Sequence, residues 1–190
     1  MFIYCISVRT GLEEKYMNSV QPVLNDSESS IHGTLYFLRK RMRLKTGKEY
    51  FDPFFPGYLF LKTEETDPSK LRSLSKYSGF LRFLPSTSDI QPLISRDFQI
   101  VTSLLKFGTT VDIVPVNFDE NDRIVILDGP FKNIPGKIIA VNRRNKRVNI
   151  ELDFMNGMRV IGLTYEEVSK LPEFMESRDS EMQQEKTQRQ

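Results

Sequence analysis

The residues that most often carry catalysis or bind metals are scarce in this chain. It has one cysteine, Cys5, and one histidine, His32. A Ser-His-Asp or Cys-His site would have to be built around His32 alone. A lone cysteine excludes both an intramolecular disulfide and a cysteine-based zinc site. Cys5 lies in the apolar run Phe2 to Val8 and reads as a small buried apolar residue. His32 reads as a surface or loop histidine. Two acidic stretches invite a metal or acid-base reading, and both have a simpler one. Glu64-Glu65-Thr66-Asp67 precedes Pro68-Ser69 and suits a helix cap. Asp128-Gly129-Pro130 is a turn. No nucleophile, metal or cofactor site follows from these residues, so a non-enzymatic protein without a cofactor is expected. The single cysteine also suits a reducing, cytoplasmic setting.

What remains is charge and aromatic surface. The formal net charge is only +2, from 27 basic and 25 acidic residues. Its distribution is uneven. Arg39, Lys40, Arg41, Arg43, Lys45 and Lys48 follow one another without an acid. A second acid-free run holds Lys132, Lys137, Arg143, Arg144, Lys146 and Arg147. Acids gather at Asp112, Asp119, Glu120, Asp122 and Asp128 and in the tail. Basic clusters of this kind displace counterions from nucleic acid, with a salt slope of about 0.9 per duplex phosphate contacted. Both are candidate nucleic-acid-binding patches. No stretch approaches the ~20 apolar residues of a spanning helix, and no membrane partner is expected. The apolar start lacks a basic n-region and a cleavage site, so it reads as a strand rather than a signal peptide.

Elements that position these residues can be read from periodicity. Phe2 to Val8 is a strand. Leu12, Tyr16, Val20 and Val23/Leu24 recur at helical period, with Glu13 and Glu14 in the first turn. Ile31 to Leu38 is a strand, and Thr46-Gly47-Lys48 is the tip of a basic hairpin. Tyr58 to Lys62 follows the Pro56-Gly57 break as a core strand. A helix starting near Pro68 carries Leu71, Leu74 and Tyr77. Gly79 to Leu84 is a strand, and Ser95-Arg96-Asp97 opens a helix running to Phe107. This order predicts an α/β unit over residues 1–108, an antiparallel sheet with flanking helices. Residues 109–121 lack a clear period, contain Pro115, and read as a linker. Four β-branched runs follow, at 124–126, 138–141, 148–152 and 158–161, separated by turn signals that include Asn156-Gly157. They predict a small all-β barrel over 122–171. Thr164 to Val168 reads as a short terminal turn. Residues 172–190 are poor in hydrophobics and read as a disordered tail.

The motifs then resemble a known family. Asp122 to Phe131, leading into Ile134-Pro135-Gly136-Lys137-Ile138, is similar to the KOW motif of SH3-like barrels. Phe54-Phe55-Pro56-Gly57-Tyr58-Leu59-Phe60 resembles the central signature of the NusG N-terminal domain. Tyr4-Cys5-Ile6-Ser7-Val8 with Gly11 and Glu13-Glu14-Lys15, Ser78-Gly79-Phe80, Pro92-Leu93-Ile94-Ser95 and Glu166 to Leu171 follow in the family's order. The resemblance covers about residues 2–171. It implies a transcription elongation and antitermination factor, with an N-terminal domain of the NusG type, a KOW barrel, and a monomeric state. In that family a hydrophobic depression docks on the clamp helices of RNA polymerase. Carried over residue by residue, the depression here comprises Tyr4, Phe54, Phe55, Pro56, Tyr58 and Phe80. Aromatic anchors of this kind supply most of an interface's energy. Phe60 is assigned to the core by strand alternation, while Phe55 and Tyr58, flanking the bend, are expected to be exposed.

The run Phe154-Met155-Asn156-Gly157-Met158-Arg159-Val160, with Gly162-Leu163 and Glu167 to Lys170, is similar to the specialised LoaP branch. That resemblance implies operon-specific antitermination and recognition of a nascent RNA hairpin, which the basic turn Arg143 to Arg147 suits. Another specialised branch, RfaH, reads non-template DNA, a role open to the loop Arg39 to Lys48. The barrel's β-branched residues disfavour a helical alternative, so a constitutively β C-terminal unit is expected. Within the family the alternative is a general factor coupling polymerase to ribosomal protein S10 or the termination factor Rho. Phe154 and Met155 lie near the loop used for that contact. Outside the family, the alternative is a ribosome-associated KOW protein acting in translation.

Overall fold

In the computed structural model, residues 1–121, 123–132 and 136–168 are described. The expected roles of Asp122, Ile134-Pro135, the segment from Ser169 to Leu171 and the tail 172–190 lie outside the described residues. The N-terminal half opens with β1 (Phe2–Val8) and α1 (Glu13–Asn25). Then come β2 (Gly33–Tyr36), β3 (Arg39–Arg43), β4 (Glu49–Pro53) and β5 (Tyr58–Thr63). A short helix α2 (Pro68–Arg72) runs into a 3-10 turn at Ser73–Lys76. It is followed by β6 (Phe80–Phe83) and α3 (Ser95–Lys106). Strands β2-β5-β1-β6 form one antiparallel sheet.

That sheet is apolar on both faces. Along β1, Tyr4, Ile6 and Val8 point to the side covered by α1 and α2, where Tyr16, Val20, Leu24, Leu71 and Leu74 are buried. Ile3 and Cys5 point to the opposite side, beside Phe60 and the α3 residues Ile100, Val101 and Leu104. The alternation follows from the two-residue period of a strand. α2 begins as the acidic stretch before it suggests. Asp67 accepts the Ser69 N–H at 2.8 Å, and Glu65 accepts the Thr66 and Asp67 N–H groups. The Lys70 ammonium bonded to Glu65 holds that carboxyl below the usual range.

The segment read as a linker carries two strands, β7 (Thr110–Val111) and β8 (Val114–Phe118). β7 pairs parallel with β3, and β8 joins the C-terminal sheet. The remaining strands are β9 (Ile124–Ile126), β10 (Lys137–Asn142), β11 (Arg147–Asp153) and β12 (Met158–Glu167), giving the order β10-β11-β12-β8-β9. The predicted terminal turn at Thr164 to Val168 is instead, up to Glu167, the last part of β12. Tyr165, Glu166 and Glu167 pair parallel with Val114, Pro115 and Val116. Parallel pairing between distant segments leaves no local turn signal to find. Within the described residues the C-terminal half is strands and 3-10 turns, with no α-helix.

Gly136 marks the entry to β10. A Cβ there would lie 2.7 Å from both Ile150 Cγ2 and Leu152 Cδ2. Ile150 is branched and buried, so it gives little ground. Gly136→Ala is therefore expected to destabilise the C-terminal sheet by about 1–3 kcal/mol, the usual range for overpacking. Urea denaturation, read as a lower midpoint at unchanged slope, checks this.

Candidate functional site

The bend Phe54-Phe55-Pro56-Gly57-Tyr58 joins β4 to the start of β5 and is held by a buried carboxylate. Glu13 is 2% exposed. One of its oxygens accepts the Gly57 N–H at 2.8 Å and the other accepts the Gly11 N–H at 2.7 Å. Gly57 has φ +79°, and a Cβ there would approach Val8 O and Thr10 Oγ1 at 3.1 Å. The bend thus needs glycine both for its backbone and for space. The first acid of α1 is therefore a tie between two turns as well as a favourable charge at a helix start.

The six aromatic and proline positions expected to form one depression divide between the two faces of the sheet. Tyr4 is buried on the α1 side, its hydroxyl donating to Glu65 O at 3.2 Å. Phe80 packs against Tyr16 and Phe83 on that same side. Phe54, Phe55, Pro56 and Tyr58 lie together on the other side, lining a recess with Phe154 and Arg159. Phe60 is fully buried there. The expected exposure of Phe55 is not what the structure has. Phe55 is 4% exposed because the Phe154 ring stacks on it, with centroids 4.3 Å apart and planes 16° from parallel. Phe54 stacks on Phe131 at 5.9 Å. Tyr58 is half-buried, with the Arg159 guanidinium 5.9 Å over its ring.

The C-terminal residues expected to meet an outside partner, Phe154 and Met155, are the ones that cover this face. They sit in the β11–β12 turn, where Phe154 N–H donates to Gly157 O at 2.9 Å. Met155 and Asn156 have φ +55° and +56°. The turn is thus centred one residue before the Asn156-Gly157 signal. A methionine in the left-handed region is strained. Its N–H is held by Asp97 Oδ1 at 3.0 Å, and its sulfur lies 3.8 Å from Cys5 Sγ. Burial pushes the Cys5 thiol well up, so it is packing rather than a nucleophile. Arg96 and Asp153 pair beside the turn. Each half therefore occupies the surface expected to bind elsewhere.

The basic runs change character on folding. The β3–β4 hairpin and its neighbours supply acids that the sequence order hides. Arg39 meets Glu14 at 3.1 Å, Lys40 meets Asp52 at 3.3 Å, and Arg41 meets Glu49 and Asp112 at 3.4 and 3.3 Å. Arg43 binds Glu49 at 2.8 Å, a bond that raises its already high pKa. Arg39 and Arg41 also lie over the Phe51 ring. Lys45 and Lys48, at the hairpin tip, carry no ion pair among the described residues. In the second run, Arg147 is structural. Its guanidinium donates to Arg43 O at 2.7 Å and to Thr164 Oγ1, joining the two halves. Arg143 lies 4.1 Å from the Phe118 centroid, and Lys146 pairs with Glu167 at 3.2 Å. Lys132 and Arg144 are exposed.

His32 is exposed and contributes its backbone oxygen to Thr63. Among the described residues no group of three or more His, Cys, Asp or Glu could hold a metal. No helix among them is long and apolar enough to cross a membrane.

Comparison with known proteins matches this architecture. The family model described as "Transcription termination factor nusG" matches residues 3–124. The transcription termination/antitermination protein NusG of Streptococcus pyogenes is 25% identical over 126 residues, covering 65% of this chain and 68% of that protein. NusG of Bacillus subtilis is 24% identical over 119 residues, covering 62% and 66%. A solved structure described as "Domain interaction in Thermotoga maritima NusG" superposes with a TM-score of 0.59 at 15% identity. It covers 86% of this chain and 93% of that one. At that identity the likeness concerns the fold.

Removing the Glu13 carboxylate leaves the Gly11 and Gly57 N–H groups without their acceptor. Glu13→Ala is expected to cost about 1–3 kcal/mol, the cost of one buried unsatisfied donor, because Gly57 is buried whereas Gly11 is exposed to water. The denaturation midpoint measures this. A change under about 0.5 kcal/mol, the size of an ordinary surface substitution, would contradict the tie.

Proposed function

Since the chain belongs to the NusG family of transcription termination and antitermination factors, we propose that it binds RNA polymerase through the face around Phe54, Phe55 and Tyr58. In this reading it acts in the cytoplasm as a specialised, operon-specific antiterminator of the LoaP type and contacts nascent RNA with its C-terminal half. The observation that carries the polymerase contact is the Phe55–Phe154 stack. It marks the bend as a surface suited to protein docking, here filled by the chain's own aromatic ring. Polymerase clamp helices and Phe154 would then compete for one face, and binding requires the C-terminal half to leave it. Tyr4 and Phe80 support that face from behind the sheet rather than touching the partner.

Contact with RNA is supported by the exposed turn at Arg143, Arg144 and Lys146. A general factor coupling polymerase to a small-subunit ribosomal protein or to Rho would use Phe154 and Met155, and it would need the same separation of halves.

An aromatic stack is worth about 0.5–1.5 kcal/mol beyond its buried area. Phe154→Ala is therefore expected to raise affinity for isolated clamp helices by at least about 2- to 10-fold, at 1.4 kcal/mol per tenfold. Phe55→Ala should lower it while circular dichroism remains unchanged. Capture assays with both variants decide the matter. Unchanged affinity in each would overturn the polymerase-binding face.

A further inference from the structure

Helix α3 is apolar on two sides. Ile100, Val101 and Leu104 are buried against the sheet. Phe98, Thr102 and Leu105, spaced i, i+4 and i+7, form a second stripe along one flank. Phe98 is 37% exposed and Leu105 is half-buried. This flank borders a groove of about 320 Å³, with Met1 and Ile3 on the other side. Lys106 lines it at the end of α3, and Lys62 of β5 lines it from the sheet. Lys62 stands directly opposite Ile3 in the β1–β5 pair, so both point to the side that α3 covers.

The charged residues of this groove are both basic. Lys62 is half-buried, and neither it nor Lys106 carries an ion pair among the described residues. The acids next along β5, Glu64 and Glu65, line a neighbouring recess that Lys62 also borders, and Lys70 holds Glu65 at 2.7 Å. The Thr102 hydroxyl is spent on Phe98 O at 2.7 Å. The groove therefore offers apolar walls, two ammonium groups and no acid. A half-buried ammonium without a counterion favours an anionic ligand. The volume falls within the range of small-molecule sites, about 300–1,000 Å³. From Phe98 to Lys106 the helix flank runs about 12 Å, at 1.5 Å per residue. A trough along one helix flank suits a linear chain.

We infer that this groove binds a linear aliphatic carboxylate of medium chain length, its chain along Phe98 and Leu105 and its carboxylate on the ammonium groups of Lys62 and Lys106. The site lies wholly in the N-terminal half. Arg96, which pairs with Asp153 of the C-terminal half, lies about 200° around α3 from Phe98, on the opposite flank. The groove is thus apart from the Phe55 face and from both basic runs. It does not rest on polymerase or RNA contact, and it is present whether the halves are docked or separate.

The test is calorimetric titration of the full chain with hexanoate, octanoate, decanoate and dodecanoate, each below its micelle concentration. Affinity should rise about two- to fourfold per methylene, up to the worth of a fully buried one, and stop rising once the chain outgrows the groove. Lys62→Gln and Lys106→Gln should each lower decanoate affinity about two- to fivefold and leave decanol unaffected. Thr102→Trp fills the trough and should lower both ligands at least about tenfold, with an unchanged circular-dichroism spectrum showing that the fold is kept. Phe98→Ala removes one wall instead and should weaken both about tenfold or more, within the range for losing a large apolar contact. Full decanoate affinity in the double lysine variant would overturn the carboxylate contact. Full affinity in both Thr102→Trp and Phe98→Ala would overturn the location. Affinity that climbs without a plateau would overturn a groove of fixed length. Failure to bind decanoate would overturn the site, and capture by phosphatidylglycerol vesicles in that case would assign the apolar flank to a lipid surface instead. Polymerase binding is decided separately by the clamp-helix capture.

Discussion

The central sheet of the N-terminal half is apolar on both faces, and a sheet of that kind must be covered twice. α1 and α2 cover one side. α3 covers only part of the other, where Ile3, Cys5, Phe54, Phe55 and Phe60 converge. The C-terminal sheet completes the cover by placing Phe131 and Phe154 against Phe54 and Phe55. Much of the remaining architecture follows from this demand. The β11–β12 turn is drawn into a left-handed conformation that lets Met155 reach Asp97 and Cys5. β7 stays with the first half and β8 with the second. Arg147 reaches across to the backbone of Arg43. Exposed, the same aromatic residues would form a docking face. Covered, they form a core.

The elements were largely legible because their signals are local. β1 runs from Phe2 to Val8 as its apolar run suggests, and α1 and α3 follow their helical periods closely. Segments whose structure depends on distant pairing were not legible. β8 alternates only briefly, with Val114 and Val116 inward and Phe118 following, and Pro115 interrupts the signal; it is a strand because β12 and β9 flank it. The last residues of β12 looked like a turn because their partner is a parallel strand 51 positions earlier, from Tyr165 back to Val114.

The aromatic bend was legible at the candidate site, but its covering was not. Nothing around Phe55 points to Phe154, and nothing around Tyr4 shows that strand alternation sends it to the opposite face. The basic runs look different in space for a related reason. An absence of acids along the chain is not an absence of acids in space, and the cross-strand neighbours Glu49 and Asp52 pair with Arg41, Arg43 and Lys40 while Lys45 and Lys48 at the tip carry no ion pair among the described residues. Glu13 announced itself as a charge at a helix start. Its bonds to Gly57 and Gly11 depend on a fold that brings two turns together.

The join between the halves has a quantitative meaning. Only Asp112 and Ile113 separate β7 from β8. If the two residues of β7 release β3, the tether from Gly108 to Val114 reaches about 20 Å at 3.3–3.6 Å per residue. A tether this short keeps Phe154 at an effective concentration of the order of millimolar beside Phe55. An outside protein competing for that face contends with a ligand that cannot diffuse away. Lengthening or stiffening these few residues would tune how readily the molecule opens without altering either surface.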